Sequence, residues 1–160
     1  MKFNKVLVPV DGSAVAEAIL PFIEQIAGPL DMEITLLRVV PLTSLDAVAM
    51  AGDLGAGDPI LKEIDAQGYL EPLVGGLRAK GIRAGARVRI GDPSIEIVTA
   101  AEEMGADLIA MTTHGRSGLG RLLFGSVAEA VLRAAPIPVF LMRMTEATLE
   151  SALVEKGKSA

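Results

Sequence analysis

The 160-residue chain is predicted to fold as an α/β domain, a doubly wound five-stranded parallel sheet with helices on both faces. Three observations predict it. Short apolar runs rich in β-branched residues recur along the chain, as strands buried on both faces require. Segments with helical apolar spacing separate them, so strand and helix alternate. One late strand runs into a long glycine-rich segment, and in such sheets ligands bind beyond the carboxyl ends of the strands.

Val6 to Val10 is the first strand, ending in Asp11-Gly12-Ser13. Ser13 is a natural N-cap, and Val15, Ala18, Ile19, Phe22, Ile23 and Ile26 trace one face of the helix that follows. Pro21 removes a backbone donor inside that helix and is expected to kink it, and Gly28-Pro29 stops it. Ile34 to Val40 is the second strand. Residues 41 to 58 have weak periodicity and are expected to form a mobile connection. Asp58-Pro59 then opens a helix to about Lys80, with Gly81 as stop signal. Gly68, Pro72, Gly75 and Gly76 all speak against that helix. Arg87 to Ile90 alternates charged and apolar residues, the pattern of a strand with one wet face. Gly91-Asp92-Pro93 starts a helix that runs to Gly105, and Leu108 to Met111 is a fully apolar strand. After the glycine loop, a helix is expected from Ser126 to about Ala134 and a last strand from Pro138 to Met142. The expected spatial order is 3-2-1-4-5, with the half-charged strand at one edge. Residues 1–144 form one domain in this scheme and 145–160 a polar tail.

Composition narrows the function. Apolar residues make up 51% and charged residues 22%, a globular balance. A net charge of −5 without a basic stripe, and only five aromatic residues, argue against nucleic-acid partners. The absence of cysteine excludes disulfides, thiolate metal sites and cysteine nucleophiles, and a single histidine disfavours a His-rich metal site. No run approaches the ~18 apolar residues of a membrane span, and no signal-peptide core precedes the first strand, so a cytoplasmic protein is expected.

The segment Met111 to Ser126 carries the chemistry. Gly115, Gly118, Gly120 and Gly125 let backbone amides approach a bound group, and Ser126 opens a helix whose first amides are unpaired. Strand, loop and helix start together form a phosphate cradle; the alternative is a long connection closed by a capping box of Ser126 and Glu129. Gly120 to Ser126 has the spacing of a Walker A loop but lacks its lysine. Gly115, Gly118 and Gly120 reverse the spacing of a dinucleotide fingerprint and follow the wrong strand, which disfavours NAD. His114 has no carboxylate partner in sequence and reads as a loop-organising residue. Arg116 and Arg121 are candidate phosphate cations or solvated charges.

The same segment resembles the signature of the universal stress protein family: a glycine, two residues, a glycine, nine residues, then Gly-Ser or Gly-Thr. Gly115, the nine residues Arg116 to Phe124, Gly125 and Ser126 match its second half, while Thr112 stands where the first glycine belongs. Lys5 to Ser13 and the stretch from Gly125-Ser126-Val127-Ala128-Glu129 to Pro138-Val139 are similar to the family as well. The resemblance implies a Rossmann-like fold and an ATP-binding regulatory module acting as a homodimer in stress responses. It implies adenine and ribose near Pro9, Asp11 and Val39, and phosphates along Gly115, Arg116, Ser117, Gly118, Gly125, Ser126 and Val127. Val10, Met111, Thr112 and His114 complete the expected binding set, and Asp11 is the candidate Mg²⁺ ligand or ribose contact, its alternative being a cap on the first helix turn.

Two other functions of this fold stand beside the first: a dimeric interaction protein that binds no nucleotide, and an ATP-consuming enzyme. The missing lysine and the lack of a base near the glycine loop oppose the enzyme, so at most weak hydrolysis is expected. The uncharged run Val139-Phe140-Leu141-Met142 is the expected dimer seam, because an exposed apolar edge invites pairing with a second copy.

Overall fold

A computed structural model describes residues 2–42, 59–114 and 125–145, together with Glu150. Five strands form one parallel sheet in the order β3-β2-β1-β4-β5: β1 (Lys5–Pro9), β2 (Glu33–Val40), β3 (Ala84–Ile90), β4 (Leu108–His114) and β5 (Val139–Met144). The helices are α1 (Ala14–Glu17), α2 (Leu20–Ala27), α3 (Pro59–Ala79), α4 (Pro93–Glu103) and α5 (Ser126–Ala134).

Alternation along the strands splits the core in two, because successive side chains leave opposite faces of a sheet. Val6, Val8, Ile34 and Leu36 pack with Ile19, Ile23, Leu70 and Val74 from α2, α3 and the turn before α2. Leu7, Leu37, Val39 and Ile109 pack on the other face with Ile97, Ala101 and Val131 from α4 and α5. Among the described residues no helix is long and apolar enough to cross a membrane.

The expected order and both edge strands are found, and the differences are local. The first helix does not run through with a kink. It divides at Ala18 and Ile19, and Pro21 sits in the first turn of α2. The amide that proline lacks would have bonded the carbonyl of Glu17, the last residue of α1, so the ladder breaks there. Ser13 caps α1 as expected, its hydroxyl accepting from the Ala16 amide at 3.1 Å. Gly81 takes φ +79° just beyond α3. That helix persists through three glycines and Pro72 because Ala66, Leu70, Val74 and Leu77 are buried along one face; packing, not intrinsic propensity, holds it. β3 begins three residues earlier than expected and β4 ends three later, taking in Thr112, Thr113 and His114, all paired with β5.

Asp107 ties the start of the central strand to β4. Its carboxylate accepts from the amides of Asn4 (2.8 Å) and Lys5 (2.9 Å), while its own amide donates to the Lys5 carbonyl. The two amide hydrogen bonds hold its carboxyl below the ordinary value of 3.8. A depressed folded-state pKa gives stability that is present above the unfolded value and lost as pH falls through the folded one. Asp107→Ala is therefore expected to lower the neutral-pH melting temperature by roughly 2–4 °C, with the gap to wild type closing below about pH 4. Paired thermal melts from pH 7 to pH 3 measure it, and a gap that widened on acidification would refute the role.

Candidate functional site

The hydrogen bonding of the sheet itself opens a cleft at its carboxyl edge. β1 pairs with β2 from Lys5 to Pro9 but with β4 only at Val6–Leu108 and Leu7–Ile109. Successive residues of a parallel strand turn their backbone groups to alternate neighbours. The Lys5 carbonyl accepts from Asp107 and the Val10 amide donates to Leu37, so the Pro9 backbone faces β4. A proline out of place inside a central strand thus stands where the β1–β4 ladder has ended, and its missing donor leaves no bond unmade. Beyond it the two strands part.

The resulting cleft has a volume of about 370 Å³, within the ~300–1,000 Å³ of ligand pockets. Of the residues singled out in the sequence, Pro9, Val10 and Asp11 line it from the end of β1 and Val39 from β2. Met111 and Thr112 line it from β4, and Gly125, Ser126 and Val127 from the start of α5. His114 closes β4, paired with Met144. Gly115, Arg116, Ser117, Gly118, Gly120 and Arg121 lie outside the described residues.

At α5 the capping-box alternative fails. Gly125, not Ser126, is the N-cap and has no side chain to cap the helix, and the Glu129 carboxylate pairs with Arg133 at 2.7 Å. The first helical hydrogen bond runs from the Glu129 amide to the Gly125 carbonyl, so the amides of Ser126 to Ala128 have no partner within the helix. The residues that carry these amides line the cleft, which brings the partial positive charge of the helix start to it. Gly125 itself differs from expectation. Its φ of −57° is open to any residue, and an added Cβ would meet no atom within 4 Å among the described residues. What glycine provides here is space beside the cleft, not a left-handed turn.

Asp11 does not cap α1, since Ser13 does. The Asp11 carboxylate instead accepts from the Ser13 amide at 2.9 Å and shapes the turn into the helix, where Gly12 has φ +89°. Partial burial pushes the Asp11 carboxyl up. Its hydrogen bonds with Ser13 and the nearby charge of Arg38 outweigh that and hold it below the ordinary range. Asp11 therefore stays an anion at the cleft, suited to accept from a ligand donor. Among the described residues no group of three or more His, Cys, Asp or Glu could hold a metal ion. A divalent cation at Asp11 would take most of its ligands from phosphate and water, as Mg²⁺ commonly does.

Sequence reasoning missed Arg38, Thr113, Pro93 and Ile97, which also line the cleft. Arg38 had a visible signal: it is the one charge in the run Ile34 to Val40, close to the strand end where ligands bind. Pro93 and Ile97 come from α4, whose approach to the β2 end only the folded chain reveals.

The family model described as Universal stress protein family matches residues 2–143. The chain is 33% identical over 141 residues to the universal stress protein MJ0531 of Methanocaldococcus jannaschii, covering 88% of this chain and 82% of that protein. The solved structure of MJ0577, from the same organism, superposes with a TM-score of 0.72 at 26% identity, covering 91% of this chain and 99% of the other. A universal stress protein from Archaeoglobus fulgidus in complex with dAMP has a TM-score of 0.62 at 23% identity, covering 88% and 98% of the two chains, and shares the fold.

Proposed function

Because the chain belongs to the universal stress protein family, we propose that it is an ATP-binding regulatory module that acts as a homodimer. One observation carries the ligand: an apolar-walled cleft of about 370 Å³ meets a helix start whose N-cap is a glycine without a capping side chain. Phosphates are the natural acceptors for such amides. Val39, Met111 and Pro9 offer apolar walls for a base, and Asp11 an acceptor for a ribose hydroxyl or an amino group. The dAMP complex of a protein of the same fold supports a nucleotide as ligand class. In this scheme Arg116, Gly115, Ser117 and Gly118 extend the phosphate contacts, residues 1–144 are the nucleotide-binding domain, and 145–160 are its tail.

Binding is proposed without efficient turnover. Phosphoryl transfer requires charge placed at the γ-phosphate and an oriented nucleophile. The loop lacks the Walker lysine, and Asp11, the one carboxylate among the described residues that line the cleft, is engaged with Ser13. Isothermal titration with ATP and Mg²⁺ is expected to give saturable binding, while phosphate release stays far below the ~1 s⁻¹ of slow kinases. No heat with millimolar ATP would favour a nucleotide-free interaction protein, and phosphate release at kinase-like rates would make the protein an enzyme.

A further inference from the structure

Arg38 is a half-buried cation lining the cleft. A guanidinium carries five N–H donors in a planar fork. Among the described residues Arg38 makes no ion pair and no side-chain hydrogen bond; its close partner is the Tyr69 ring, whose centre lies 6.0 Å from the guanidinium carbon. Partly burying a cation without acceptors costs free energy unless something else supplies them. The ring beneath it is fixed in turn, because the Tyr69 hydroxyl donates to Glu17 at 2.9 Å. A charge in an otherwise apolar strand end is thus braced by α3 and α1 at the rim of an open site.

Position decides which part of a ligand it meets. Arg38 is on β2, whereas α5 follows β4, with β1 between them. Two strand spacings of ~4.8 Å put the Arg38 backbone about 10 Å from that of β4. Arg38 also shares its face of β2 with Ile34 and Leu36, which pack toward α2 and α3, while α5 covers the opposite face. A ligand with phosphates on the α5 amides therefore brings its nucleoside end to Arg38. The acceptors there are neutral ring nitrogens or a carbonyl oxygen, edges that a planar two-pronged donor fits. Asp11 lines the same end and accepts from an amino group or hydroxyl.

We infer that Arg38, braced on Tyr69, reads the nucleobase: it donates hydrogen bonds to acceptor atoms of the base and not to phosphate. This rests on the nucleotide-binding function proposed for the same cleft. The test is the affinity of wild type, Arg38→Gln and Arg38→Lys for ATP and for adenosine, with thermal melts confirming that each variant folds. Arg38→Gln is expected to weaken both ligands by a similar factor of about ten. Arg38→Lys should recover little, since an ammonium keeps the charge but loses the fork. A loss confined to ATP, or one that lysine repairs, would place Arg38 at phosphate and overturn the inference; unchanged affinity for both ligands would overturn it too. Wild type that binds neither ATP nor adenosine would remove the nucleotide function along with it. Wild-type binding with an insensitive Arg38→Gln removes this inference alone.

Discussion

Gly125→Val is expected to reduce ATP affinity by ~100-fold or more, a loss of ~2.7 kcal/mol, while the domain stays folded. The residue lines the cleft at the N-cap of α5, next to the amides of Ser126 and Val127. Its φ of −57° and ψ of 151° suit valine, and a Cβ there meets no atom within 4 Å among the described residues. The cost to the fold is then the loss of a favourable N-cap residue, about 1 kcal/mol. A branched side chain at that position takes the space through which phosphate would reach the amides. Gly125→Ala, with one methyl, should give a smaller loss. Binding that survives in a folded Gly125→Val protein would show that phosphates do not approach there.

Phe140→Lys is expected to convert a dimer of twice 16.6 kDa into a monomer at micromolar concentration, read by light scattering. β5 is an edge of the sheet, and Phe140 is 37% exposed on it. An unpaired edge bearing an apolar side chain favours association, and a lysine buried in such a seam would carry an unpaired charge. The observed strand also contains the exposed Arg143, beyond the uncharged run seen in the sequence, so the seam should centre on Phe140. A wild-type monomer, or a dimer indifferent to Phe140→Lys, would mean that copies meet elsewhere or not at all.

Strand order was legible because hydrophobic burial writes itself into local sequence: the runs at Val6, Ile34 and Leu108 are buried on both faces, and the charged residues of β3 lie at an edge. Strand ends were less so. Thr112 and Thr113 look like loop residues, yet Thr113 is buried and both continue β4, because pairing with Met142 and Arg143 offsets their polarity. α1 and α2 separate for a reason the sequence did contain, at Pro21, but where the break fell depended on how the turn packs. In the site, Pro9 and Asp11 were expected from the family resemblance, and Gly125 from that resemblance and from its place before a helix start. Arg38 was not, since a lone charge in a strand reads as a surface residue until Tyr69 and the cleft are seen around it.

The most direct test of nucleotide binding in this cleft is a titration of ¹⁵N-labelled protein with ATP, followed by amide chemical shifts. Saturable shifts are expected at Ser126 and Val127, whose amides have no helical acceptor, and at Asp11 and Val39 across the cleft. Adenosine should move Asp11 and Val39 while leaving Ser126 and Val127 nearly unchanged, because it brings no phosphate to the helix start. A spectrum unmoved by millimolar ATP, or shifts that saturate on residues remote from Pro9, Met111 and Gly125, would contradict binding at this site.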